Sequence, residues 1–404
     1  FINTRMSISS IVREQINRGS WIRKMFEEGL RLAREHGAEN VLDFTLGNPY
    51  LNPPPEFLAA LAEVVAEEKP KIHGYMQNAG FPETRARVAS NLAVELGLPF
   101  TSDHVVMTCG AAGALNVIIK SILEPGDEVI VIAPYFVEYG FYIHNHGGVK
   151  VVSPADADFL PDLADLEQRI GPKTRAVLTN SPCNPSGRLI TADVFARMGD
   201  LLRRKSEQYG RTIYLLSDEP YRRLLFDGLR FESPFEHYEA TLLATSHSKD
   251  LALAGERIGY LAVSPHCIDA QELVSAMTFV NRTLGFINAP AIMQRVLARI
   301  EHYEVDVATY QRKRDRLYDA LIGMGYEVRR PDGTFFMFPK SPLPDDIAFI
   351  QLLKSKLLLV SPGAGFECPG YFRISFCVDD PVIERALPRF AEAIADVRAG
   401  WRPE

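Results

Sequence analysis

In the stretch Thr241–Val263, TLLATSHSKDLALAGERIGYLAV, two short apolar runs, the first ending in a serine, bracket a loop that carries a second serine, a lysine and an arginine. TLLATS and IGYLAV are too short for helices and nearly continuous in apolar residues, the pattern of strands buried on both faces. The same kind of run recurs upstream as HVVMT from His104, EVIVIA from Glu128, VKVVS from Val149, RAVLTN from Arg175 and TIYLLS from Thr212. Seven such runs, separated by helix-compatible segments or long connections, predict an α/β domain. Its sheet is mainly parallel, seven-stranded and covered by helices on both faces.

The pattern changes after NAPAIMQ at Asn288, where a helix-compatible stretch runs with few breaks to Gly325. Beyond it come short strand candidates, YEVRR, TFFMF, LLLVS and YFRISFCV, closed by the helix-like PVIERALPRFAEAIADVRA. Strands followed by helices predict a second, small α+β domain. The expected division is a large domain over 51–290 and a small one made of 1–50 together with 291–404. The N-terminal segment to about Val41 reads as helix, with apolar residues at Ile22, Met25, Phe26, Leu30 and Leu32. These do not all fit one face, so part of that surface is expected to lie on a partner subunit.

Composition narrows the function. The 404 residues are 47% hydrophobic and 24% charged, ordinary for a soluble globular protein. With a net charge of -7 and no basic block beyond Arg203–Lys205, at the end of an amphipathic helical pattern, nucleic-acid binding is not expected. Five scattered cysteines show no Cys-x-x-Cys spacing, and nine histidines show no metal spacing. Free thiols and no catalytic metal are the expectation. No apolar run approaches eighteen residues and the N-terminal segment lacks the marks of a signal peptide, so a cytoplasmic protein without membrane contact is expected.

Four segments gather polar residues where strands end. MTCGAAGALN, Met107–Asn116, leaves a strand through small residues into a helix, an arrangement that serves packing or cradles an anion. TNSPCNPSGRLI, Thr179–Ile190, is either a plain loop of turn formers or part of a ligand site at the carboxyl edge of the sheet. LLSDEPYRRLLF, Leu215–Phe226, brings Asp218 and Glu219 out at that edge, as helix-capping acids or as chemistry, with Tyr221 beside them. The loop of the opening stretch adds Ser246, Ser248, Lys249 and Arg257.

In this order the segments resemble the class I and II aminotransferases, fold-type I enzymes of the aspartate aminotransferase superfamily that use pyridoxal 5'-phosphate. The likeness runs from DFTLGNP at Asp43 to FRISF at Phe372. It implies that Lys249 bonds the cofactor through its amine and then carries a proton to and from the substrate α-carbon. Asp218 would keep the cofactor's ring nitrogen protonated. Tyr221 and Asn184 would donate to its phenolic oxygen, and Phe136 would stack on the ring. Gly110, Ala111 and Ala112, with Ser246, Ser248 and Arg257, would hold the phosphate. Tyr75, in HGYMQNAG, matches a tyrosine that reaches the phosphate of the neighbouring subunit, implying a homodimer with shared active sites.

Arg373 matches the arginine that clamps the substrate α-carboxylate, with Gly47 and Asn184 beside it; strand alternation would equally make Arg373 a surface charge. The implied reaction moves the amino group of an L-amino acid to a 2-oxo acid, with 2-oxoglutarate the expected acceptor, through pyridoxal and pyridoxamine phosphate in a ping-pong sequence. Aspartate-preferring relatives carry a second cation for the distal carboxylate; one branch has a lysine near the place of Ala112. Another takes an arginine from the partner, where Arg282 stands one residue from the matching Thr283. Phe335 and Phe336 are expected in the core rather than in a pocket. A β C–S lyase could keep every cofactor residue. A regulator borrowing this fold and a dinucleotide oxidoreductase are disfavoured, the latter because its glycine fingerprint is absent.

Overall fold

The computed structural model describes residues 8–18 and 21–402, without the side chains of 17, 18, 21–24 and 26. The expectations for Ile22 and Phe26 therefore lie outside the described side chains. Two helices, α1 (Ser10–Arg18) and α2 (Trp21–His36), lead to strand β1 (Leu42–Asp43). Met25 and Leu32 of α2 are buried, whereas Leu30 is exposed. Two further helices follow, α3 (Pro55–Ala66) and α4 (Pro82–Leu96).

The central sheet is built from β2 (Val105–Thr108), β3 (Glu128–Ala133), β4 (Val149–Pro154), β5 (Thr174–Asn180), β6 (Tyr214–Asp218), β7 (Thr241–Ser246) and β8 (Gly259–Val263). Their spatial order is β2-β8-β7-β6-β5-β3-β4. Only β8 runs against its neighbours, so the sheet is mainly parallel, as the apolar runs predict. Helices α5 (Gly110–Ile122), α6 (Glu138–Asn145), α7 (Leu163–Arg169), α8 (Ala192–Tyr209) and α9 (Ala270–Thr283) complete this part. Alternate residues of β2, β7 and β8 feed two separate cores. Val106, Leu242 and Leu261 join Ile118, Val177 and Phe195 on one face. Val105, Leu243 and Tyr260 join Phe57, Leu92 and Leu297 on the other. Each fully buried side chain of this size contributes about 2 kcal/mol of hydrophobic stabilisation. The basic run in α8 is absorbed by surface pairs, Arg203 with Asp200 and Glu239 and Arg204 with Glu167.

The helix-compatible stretch after Asn288 is helical with one break. It forms α10 (Ala291–Arg299) and α11 (Val307–Met324), with 300–306 unwound between them. The break needs no glycine or proline: Asp306 caps α11 by accepting from Thr309 N at 3.0 Å, and Tyr303 turns inward to Asp250. Helix α10 packs on α3 and α4, whereas α11 packs on α13 (Asp380–Arg398). Before α13 come β9 (Phe336–Met337), α12 (Asp346–Ser355), β10 (Leu358–Leu359), β11 (Ser361–Pro362) and β12 (Phe372–Ser375). The candidate strand YEVRR forms no strand; Tyr326 packs in the core and donates its hydroxyl to Phe390 O at 2.8 Å.

β1 pairs in parallel with β10, and β12 lies between β11 and β9. A third core unites Met25, Leu32, Leu42 and Phe44 from the N-terminal side with Leu317, Phe349, Phe372 and Phe390. Chain ends far apart in sequence thus form one layer beside the carboxyl edge of the central sheet.

Candidate active site

A cavity of about 430 Å³ opens between that edge and the C-terminal layer. It is lined by Gly47, Ala111, Ala112, Phe136, Asn184, Asp218, Tyr221, Ser246, Ser248, Lys249, Arg257 and Arg373. Adjacent strands deliver the acid and the serines: Asn180 lies opposite Asp218, and Asp218 opposite Ala244, in one parallel register.

Asp218, at the end of β6, is buried, and Tyr139 donates its hydroxyl to one carboxylate oxygen, Oδ2, at 2.5 Å. The other, Oδ1, is buried with no hydrogen-bond partner. Burial pushes this carboxyl up to about 7, against the lowering effect of the Tyr139 hydrogen bond. Such an acid favours a cationic N–H donor in the cavity. Glu219, the next residue, turns to the other side of the strand, where Ser217 Oγ donates to it at 2.7 Å.

Lys249 stands in the loop after β7, with Nζ donating to Gly47 O at 2.5 Å and lying 5.3 Å from the Phe335 ring centroid. Burial lowers its amine to about 8, which raises the fraction present as a nucleophile near neutral pH. Tyr221 packs edge-on against Phe335 and Phe336, at 5.5 and 5.7 Å between ring centroids.

Arg373 is not a surface charge. It is 2% exposed, between the rings of Phe336 and Phe366, whose centroids lie 4.4 and 4.9 Å from its guanidinium carbon. Its Nη1 donates to Asn184 Oδ1 at 2.9 Å and its Nη2 to Thr45 O at 2.5 Å, while Nε has no partner. Burial lowers its pKa to about 10, still high enough to keep it charged. By occupying Asn184 Oδ1, Arg373 leaves the amide nitrogen of Asn184 free to donate. Asn184 is itself fixed through its N–H, which donates to Asn180 Oδ1 at 2.7 Å.

At the far end the N-terminus of α5 meets Arg257. Gly110 does not line the cavity but makes this approach possible: its φ is 71°, and a Cβ there would lie 2.8 Å from Arg257 Nη2. Gly47 is similar, since a Cβ would meet Phe336 Cζ at 2.6 Å. Phe136 lies edge-on to Tyr139 at 5.7 Å.

Two expected residues are elsewhere in this chain. Tyr75 is 90% exposed and outside the cavity. Arg282, exposed on the last turn of α9, lies over Phe279 and also does not line it. Phe336, expected in the core, is both core and cavity wall. Sequence reasoning missed Tyr139, Tyr142, Asn180 and Leu46, all of which line the cavity. No local signal marked them: Tyr139 stands in the first turn of α6, and Phe136, three residues earlier, precedes the helix. Among the described residues, Glu232, Glu236 and His237 could converge on a metal ion, and none of them lines this cavity.

The donor set fits pyridoxal phosphate. An unpaired buried carboxylate oxygen faces a ring-sized cavity, an amine stands in that cavity, and a helix N-terminus with an arginine closes the other end. The family profile described as aminotransferase class I and II matches residues 39–390. The aspartate/prephenate aminotransferase of Thermus thermophilus is 31% identical over 367 residues, covering 89% of this chain and 92% of its own. Among solved structures, an amino transferase from Eubacterium rectale superposes with a TM-score of 0.93 at 37% identity, covering 97% of this chain and 99% of its own. Thermus thermophilus aspartate aminotransferase with maleate gives 0.85 at 28%, covering 96% and 100%. Among the described residues no helix is long and apolar enough to cross a membrane.

Proposed function

We propose, for a chain that belongs to the class I and II aminotransferases and uses pyridoxal phosphate, that it moves the amino group of an L-amino acid to 2-oxoglutarate in alternating half-reactions. The observation that carries this reading is the convergence on one cavity of Lys249, the half-satisfied Asp218 and the buried Arg373. The cofactor supplies an electron sink for the charge left when the substrate Cα–H bond breaks.

Each residue then has one task. Arg373 receives the substrate carboxylate, its fork held flat between two rings so that little freedom is lost on binding. Lys249 Nζ would hold and move the substrate α-proton. Asp218 Oδ1 would keep a proton on the cofactor's ring nitrogen, with Tyr139 holding the other carboxylate oxygen. Tyr221 and the freed amide of Asn184 would donate to the cofactor's phenolic oxygen, and Phe136 would cover its ring face. The Ala111–Ala112 backbone, Ser246, Ser248 and Arg257 would receive the phosphate, with Gly110 giving Arg257 the room to approach.

The reading extends to a cytoplasmic homodimer in which exposed Tyr75 reaches the partner's phosphate site and Arg282 reads a distal carboxylate across the interface. Relatives named for aspartate support an acidic donor. The two-domain division, 51–290 against 1–50 with 291–404, is supported by the core that joins the N-terminal and C-terminal parts. The packing of Met293 and Leu297 on Phe57 and Leu92 favours counting 291–300 with the larger unit.

The test is the visible spectrum of the protein loaded with pyridoxal phosphate, with single amino acids and no oxo acid. Bleaching that stops after one turnover and requires Lys249 supports transfer. Sustained release of pyruvate and ammonia would instead identify a lyase.

A further inference from the structure

On the side of the lysine loop away from the cavity lies a polar cluster with no task in the account above. Asp250, which follows Lys249, accepts from His247 Nδ1 at 3.2 Å and from the Tyr303 hydroxyl at 2.5 Å. Its other oxygen takes the Leu251 N–H at 2.8 Å. His247 and Asp250 thus bracket the lysine in sequence and clamp to each other in space.

Tyr303 comes from elsewhere. It stands on the unwound 300–306 connection, between α10, which packs on α3 and α4, and α11, which packs on α13. The guanidinium of Arg223 lies over its ring at 4.6 Å, fixing the phenol from the segment that follows β6. The His247 ring is 6.0 Å from that of Tyr260 on β8 and 6.5 Å from that of Tyr303.

The contact is built to persist. Burial pushes the Asp250 carboxyl up, but His247, Arg223 and Tyr303 outweigh it and hold the group at about 2. Burial and the neighbouring Asp250 charge keep the Tyr303 phenol protonated far above its ordinary range. Phenol and carboxylate therefore keep their roles as donor and acceptor from mildly acidic to alkaline pH.

We propose that Asp250 and Tyr303 are positioning residues for Lys249, tying its turn to the 300–306 connection and so setting where Nζ stands. The proposal rests on the reading of Lys249 as the amine that bonds the cofactor and moves the proton. Once that amine is bonded it no longer donates to Gly47, and the clamp beneath its turn, with the backbone bonds His247 N to Ile258 O and Leu253 N to His247 O, is what fixes its base.

The variants Tyr303→Phe, Asp250→Ala and Asp250→Asn separate placement from mere stability. Tyr303→Phe removes one oxygen and leaves the ring under Arg223, so it keeps the question answerable even where Asp250→Ala fails to fold. In the loaded enzyme Tyr303→Phe is expected to lower kcat about tenfold while KM for the amino donor changes less than about twofold. The pH midpoint of the cofactor's visible band should move by about half a unit or more. Asp250→Asn, which keeps an acceptor for the phenol, should restore part of what Asp250→Ala loses. In the cofactor-free protein, amide hydrogen exchange across 246–253 should quicken in Tyr303→Phe. An unchanged midpoint, kcat and exchange in Tyr303→Phe, whatever happens to its melting temperature, would overturn the proposal and leave the lysine assignment standing. A wild-type protein with no Lys249-dependent band would remove that assignment and the proposal with it.

Discussion

Tyr139 and Asp218, 79 residues apart in sequence, share a buried hydrogen bond of 2.5 Å that occupies one carboxylate oxygen and leaves the other bare. The bond both lowers the acid's pKa against burial and aims its free oxygen into the cavity. Tyr139→Phe loses only the hydroxyl. Cofactor affinity and kcat/KM together are expected to fall by about 10- to 100-fold, the range for a buried hydrogen bond to a charged group. Pyridoxal phosphate titration and single-turnover rates measure it.

Burial raises Asp218 from 3.8 in the unfolded chain to about 7 in the fold, so the folded protein holds this proton more tightly. Its contribution to stability is intact below 3.8 and is lost as pH rises through about 7. Cofactor-free Asp218→Asn should therefore gain on wild type by a few kcal/mol between pH ~4 and ~8. Lys249, lowered to about 8, titrates in the opposite sense above this window. Paired denaturant melts at several pH values measure the gain, and the same variant should lose nearly all transfer activity.

Arg373→Lys keeps the charge but loses the planar fork that Phe336 and Phe366 hold and the bond to Asn184. KM for the amino donor is expected to rise about 10- to 100-fold, with a smaller fall in kcat from the loosened Asn184 amide. Steady-state kinetics with saturating oxo acid separate the two.

The tasks proposed for Tyr75 and Arg282, both exposed, require a second copy of the chain. Sedimentation should give twice the 45.2 kDa chain mass. Arg282→Ala should slow aspartate and glutamate by about tenfold and leave alanine unchanged, as expected for one lost charge-assisted contact. Equal relative rates for all three would remove Arg282 from substrate recognition.

Much of this was legible in the sequence because buried parallel strands leave uninterrupted apolar runs and because the loops after them carry their polar residues in a characteristic order. Other features left no trace. Tyr139 reads as one more core aromatic, since nothing local shows that its hydroxyl meets an acid on β6. Arg373 looked as much like a strand-edge charge as a ligand, until Phe366 and Phe336 closed over it. The break at 300–306 has no glycine or proline to announce it: an aspartate cap and a long-range contact from Tyr303 end the helical pattern. In each case the deciding interaction joins residues that local periodicity cannot relate.

Asn180, Asp218 and Ala244 stand abreast on parallel strands, and side chains on a strand change sides with every residue. Which acid reaches the cavity is thus addressed by parity rather than by distance along the chain. A slip of β6 by one residue would present Glu219 to the cavity and send Asp218 toward Ser217's side, exchanging two acids whose surroundings are not interchangeable. Insertions before β6 are tolerable only where the Gly210–Ile213 connection absorbs them, and the neighbouring Asp-Glu pair is less a duplication than a switch that the hydrogen-bonded frame of the sheet holds in one setting.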